Sequence, residues 1–220
     1  LKTYQTLLKL HHNDTNKIAY VDIDLKRIQY VHQQLQHTNK DRLYIDLLQQ
    51  LAKQYHNQNV SGDILYNMAQ FYYYQGEQEY IQAYNICKMI TQVPYTNNDI
   101  QNNCQVLMAN ITESSFNITN ENTMLPQTDI PIKITYKNAP HIHIRIYKNE
   151  SSWQLKNQNY DELINELLQS KAVYYKQITL PEFKDFRTHT AEGAIPGLDV
   201  GSYYILTSID SMIDSKRYTQ

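Results

Sequence analysis

Residues 131–147 read PIKITYKNAPHIHIRIY. With Ile130 just before them, Ile132, Ile134 and Tyr136 recur at every second position, and Ile142, Ile144 and Ile146 do the same further on. Lys133, Thr135, His141, His143 and Arg145 take the alternate places. Successive side chains of a pleated strand point to opposite faces, so the alternation predicts two strands, each with a dry and a wet face. Asn138-Ala139-Pro140 supplies the turn, because Asn can mimic a backbone turn and Pro cannot donate to a ladder. The expected unit is an amphipathic hairpin.

Upstream of this stretch the apolar period is helical. Leu1 to Leu10 reads as the tail of a helix, and Asp14 or Thr15 is placed to cap the next one. That helix carries Ile18, Val21, Leu25, Ile28, Val31 and Leu35 in one stripe. Asp22 and Asp24 are expected on its solvated face. Leu43, Leu47, Leu48 and Leu51 repeat the pattern. Ser61 precedes a further helix that ends at Gly76; a second runs through Ala83, Cys87 and Ile90 to a break at Pro94, and a third covers Ile100 to Ile111. Helix, glycine turn, helix and proline together resemble a tetratricopeptide-type pair within an irregular antiparallel array.

Downstream, strand character returns at Phe116–Leu125, Ala172–Ile178, Arg187–Ala194 and Ser202–Ile209, with Lys216–Gln220 as the start of a last strand. Tyr160–Leu168 is a short amphipathic helix inserted among them, and Asp161-Glu162 at its start suit the positive end of the helix dipole. Strands spaced by turn signals argue for an antiparallel sandwich. The expected fold class is α+β in two domains: a helical array over residues 1–114 and a β-sandwich with one inserted helix over 115–220.

The chemistry is sparse. A net charge of -2 gives no basic footprint for nucleic acid. No apolar run approaches the roughly 20 residues that cross a bilayer. Five glycines leave little material for a phosphate cradle, and no nucleophile–base motif is present. The expectation is a non-enzyme without cofactor or metal. His141 and His143 share a strand face, which the wet side of the strand explains. Phe71-Tyr72-Tyr73-Tyr74 is the one aromatic run that invites a contact surface, with inter-helix packing as the competing account. Cys87 and Cys104 fall at nearly the same height if their helices are antiparallel about Pro94, which is compatible with a disulfide or with two buried thiols. The chain begins at Leu1 rather than Met and reads as processed or as a piece of something longer.

The segment ITYKNAPHIHIRIYK resembles the first macroglobulin-type β-domain of bacterial α2-macroglobulin-like proteins, especially the large ones of Bacteroidetes. Thr135-Tyr136-Lys137-Asn138 matches their turn, and Ile142 to Tyr147 the alternating strand. Leu180-Pro181 with Asp185 and the following His-Thr stretch is similar to the linker before the next strand. Leu198, Gly201 and Tyr203 match the Leu-x-x-Gly-x-Tyr entry into a central strand. The helical part, with a Cys in each of two helices about a Pro turn, is similar to their N-terminal region. The resemblance implies an immunoglobulin-like, macroglobulin-type sandwich after a helical domain. It also implies a periplasmic or cell-surface location and a role in a protease trap. Such a trap is cut in a bait region and, in some members, uses a Cys-Gln thioester. No Cys-x-Glu-Gln stands here, so the implied role is non-catalytic scaffold. Its partners would be other domains of the same longer chain and target proteases. An oxidising compartment favours a Cys87–Cys104 bond. The alternative expectation is a cell-surface module that binds glycan or protein through its Tyr-rich face.

Overall fold

The computed structural model describes residues 1–92, 97–120, 125–149 and 160–211. The turn expected at Pro94 and the last strand expected from Lys216 lie outside them. The chain divides into two compact units, Leu1–Thr112 and Glu113–Gln220. It is a mixed α+β protein, with helices first and two small antiparallel sheets after them.

The first unit holds α1 (Lys2–His11), α2 (Ile18–Gln34), α3 (Lys40–Gln54), α4 (Ser61–Tyr74), a short 3-10 turn (Glu77–Glu79), α5 (Tyr80–Thr91) and α6 (Asn98–Thr112). The expected stripe of α2 holds at its centre: Val21, Leu25 and Ile28 pack against Tyr44, Ile45 and Leu48 of α3 and Ile64 and Met68 of α4, whereas Ile18 and Leu35 at its ends are exposed, as are Leu43 and Leu47 of α3. Ala69 and Ala83 are fully buried, and their small side chains let α4 and α5 approach closely. Gly76 joins these two helices with a φ of 98, a conformation that a side chain would strain. Cys87, Ile90, Cys104, Leu107 and Ile111 are buried on α5 and α6.

Several local expectations change. Neither Asp14 nor Thr15 caps α2: Lys17 holds the cap position, and the Asn16 carboxamide oxygen accepts from the Ile18 N–H. Asp14 instead pairs with His11 at 2.7 Å. Ser61 lies inside α4, whose cap is Val60. Asp24 is not solvated: it is buried and held by Arg27 at 2.7 Å, while Asp22 stays exposed with Lys26.

The second unit contains β1 (Ser115–Asn120), β2 (Ile130–Lys137), β3 (His141–Lys148), α7 (Tyr160–Gln169), β4 (Tyr174–Thr179), β5 (His189–Ile195) and β6 (Tyr203–Ser208). Its strand order is β1-β2-β5 in one sheet and β4-β3-β6 in the other. The expected hairpin is therefore not one. β2 pairs on its two edges with β1 and β5, β3 with β4 and β6, so the turn between them is a corner from sheet to sheet. The physical gain is that both isoleucine rows face each other. Ile132, Ile134, Ile142, Ile144 and Ile146 enter one shared core, the last four at 0% exposure. Asn138 takes a φ of 51 at the corner; its side-chain amide donates to the Glu113 carbonyl, and its carbonyl accepts from the Ser114 hydroxyl. The Pro140 carbonyl accepts from the Leu180 N–H.

The second face of β3 is not wet either. Tyr147 is 3% exposed, sealed by Ile164 and Leu167 of α7 and by Leu206. His143 is buried and stacks on Tyr175, its Nδ1 within 2.9 Å of the Tyr175 hydroxyl. The inserted helix thus forms a third layer on sheet β4-β3-β6.

Candidate functional site

Two features of the second unit offer a surface to a ligand or partner. The first is the gap between β1 and β6. Within the described residues each of these strands pairs on one edge only. A groove of ≈ 440 Å³ opens between them, with Phe116, Ile118, Ile132, Ile144, Ile195 and Ile205 among its walls and no charged side chain among the described residues that line it. Ile205 stands opposite Ile146 in the ladder, yet is 44% exposed because the core is open there. Sheet edges are normally blunted by charge, Pro or bulges. The other edge strands follow that rule, with Lys176 on β4 and Glu192 on β5, whereas β1 (SFNITN) and β6 (YYILTS) carry no charge. Among the described residues, the gap therefore offers both unpaired backbone edges and apolar side chains.

The second feature is a pocket of ≈ 310 Å³ on the segment between β4 and β5, bounded by Tyr136, Pro140, Phe183, Asp185, Arg187 and His189. Lys184 and Phe186 adopt φ of 55 and 59, left-handed values that are costly for residues other than Gly, and doubly so for a bulky ring. Asp185 holds the shape: its carboxylate accepts from the Arg187 N–H and lies 2.8 Å from His189 Nε2. Burial opposes the charge on Asp185, but the bonds from His189 and the Arg187 backbone outweigh it and keep its pKa below the usual carboxylate range. The Phe183 ring stacks on His189 at 4.1 Å, and the Tyr136 hydroxyl donates to the Pro181 carbonyl. Burial, with Asp185 nearby, raises the pKa of the Tyr136 phenol above its ordinary value.

The aromatic run separates into three environments. Phe71 packs on Tyr44 at 5.3 Å and Tyr72 on Phe71, both against the helical core; Tyr73 stacks on Tyr80 at 5.3 Å; Tyr74 alone is 79% exposed. Most of the run is packing. His141 and His143 do not form a ligand pair, since His141 is exposed and His143 is engaged with Tyr175. No group of three metal-ligating side chains occurs among the described residues, and no described helix is long and apolar enough to cross a membrane. Cys87 and Cys104 are brought together as free, buried thiols rather than a bond. Their hydrogen bond, with burial added, holds the Cys87 thiol far above its ordinary range.

The Asp185–His189 pair was not legible beforehand. Its four-residue spacing resembles a helical contact, but the segment is irregular, and only the Asp-x-Arg turn chemistry gives it away. Compared with known protein families, curated proteins and solved structures, the chain matches none.

Proposed function

We propose that the chain is a non-catalytic scaffold and interaction region of an extracytoplasmic protease inhibitor of the α2-macroglobulin type. The observation that carries this is the strand order. A sheet of first, second and fifth strands beside a sheet of fourth, third and sixth supports reading the unit as an immunoglobulin-like sandwich, with β4 on the sheet of the third strand. Among the described residues, the place beside β6, where that architecture sets a further strand, is unpaired and uncharged. A module of this kind serves as one link among others, and the apolar groove is where neighbouring domains of the same longer chain would join it. The helical unit is read as a tetratricopeptide-like docking array. The local matches at Thr135–Asn138 and Leu198–Tyr203 support the same family.

The test uses the protein at its full native length, mixed with a panel of proteases. A trap protects large protein substrates while the bound protease still cleaves small peptides. If no protease shows this size dependence, the reading fails. A cell-surface glycan- or protein-binding module is the second reading, and the exposed rings of Tyr74 and Phe183 are what it would use. Replacing either ring by Ala would then abolish retention on an immobilised glycan.

A further inference from the structure

Cys87 on α5 and Cys104 on α6 are both at 0% exposure on helices that pack together, and each thiol is the strongest influence on the other's titration. Two thiols that act on each other from neighbouring, packed helices are candidates for a bond. Yet reactive thiols sit in electropositive, partly exposed surroundings. Here the groups acting on them are each other and their burial, with no cation among them.

We propose that Cys87 and Cys104 are a disulfide site whose redox state is written while the helices are open and is then kept by the fold. The chemistry is two thiol–disulfide exchanges with a low-molecular-weight disulfide such as oxidised glutathione. One protein thiolate attacks the reagent, forming a mixed disulfide and releasing one glutathione thiolate, which takes up the proton that the protein thiol lost. The second cysteine then displaces the other glutathione. The protein loses two electrons and two protons; the reagent becomes two thiols. Attack needs a sulfur in line with the incoming disulfide, which the closed helix pair denies. Oxidation and reduction therefore both wait for α5 to open from α6. A chain that folds in an oxidising compartment leaves with the bond, and one that folds in a reducing compartment keeps two thiols, whatever it meets later.

The experiment uses the whole chain. One sample is oxidised by glutathione disulfide in concentrated urea and refolded; another is refolded with its thiols intact. Intact mass and far-UV circular dichroism are recorded for both, and each folded form is then challenged, the thiol form with glutathione disulfide and the bonded form with dithiothreitol. The bonded form is expected to refold to the same spectrum with a higher melting temperature. Both folded forms should change state on the order of a hundredfold or more slowly than the unfolded chain, and low urea should speed both. A bonded chain that refolds poorly or melts earlier than the thiol form overturns the site. Folded thiols that react as fast as unfolded ones, or that stop as single glutathione adducts, overturn the gating. Cys104→Ser leaves one thiol and should give only the adduct, and only when unfolded.

Discussion

Tyr147 tests the layered arrangement of the second unit. Simple strand alternation puts it on the wet face with His143 and Arg145, where truncation would change stability by no more than about 0.5 kcal/mol. In the structure it is 3% exposed and is the platform on which α7 rests through Ile164 and Leu167. A buried tyrosine removes roughly 150 Å² or more from water, which at about 25 cal/mol per Å² is nearly 4 kcal/mol. Large aromatic truncations cost about 3–5 kcal/mol. Tyr147→Ala should therefore lower the stability of this unit by about 3 kcal/mol, and its melting temperature by more than about 10 °C. Hydrogen exchange read by mass spectrometry gives a local signature: amides of residues 160–169 lose protection first, while α2 to α4 are unchanged. Tyr147→Phe, which keeps the ring, should stay close to the parent. A Tyr147→Ala protein within about 0.5 kcal/mol of the parent, with α7 still protected, would refute the three-layer reasoning.

Three further outcomes follow from named contacts. The folded pKa of Asp185 is depressed, so its contribution to stability is present above the ordinary carboxylate pKa of about 4 and is lost as pH falls through that value towards the folded one. In urea titrations Asp185→Asn should differ from the parent at pH 6–7 and converge with it in acid. The folded pKa of His143 is lowered by burial, Arg145 and His141, so the unfolded chain takes up that proton first. Stability should fall as pH drops through about 6.5, and His143→Gln should flatten that limb in thermal melts across pH 5–8. Gly197 has no room for a methyl group, because a Cβ would sit 2.3 Å from the Gln127 carbonyl carbon and 2.5 Å from the Thr128 nitrogen. Gly197→Ala should cost about 1–3 kcal/mol by chemical denaturation, and Gly193→Ala, whose nearest contact is Ile132 at 3.4 Å, much less.

How much of this could be read in advance depends on what periodicity encodes. The helices and strands were legible because their apolar residues repeat at 3.6 or 2. Alternation names faces, however, not partners. Ile134 and Ile144 are equally buried in a hairpin and in two facing sheets, so nothing local distinguishes the corner at Asn138–Pro140 from a hairpin turn. The seal over Tyr147 comes from α7, which follows β3 in the chain only at a distance, and an aromatic with a polar tip suits either environment. Asp24 was misplaced for a different reason: it lies two residues from Asp22 and so on another side of the helix, and Arg27 three residues on was the available signal of a held carboxylate. The left-handed backbone at Lys184 and Phe186 leaves no trace in residue type.

The corner between β2 and β3 also decides how the sandwich bears load. The chain enters the unit at Glu113 and Ser114, and both are tied to Asn138 at that corner by hydrogen bonds to or from its carbonyl and amide. Tension applied through the helical unit does not begin by peeling β1 from its neighbour. It arrives first at the one place where the central strands of both sheets are covalently joined. Those two bonds must part before β1 can peel from β2, so the corner acts as a catch at the end of an edge strand.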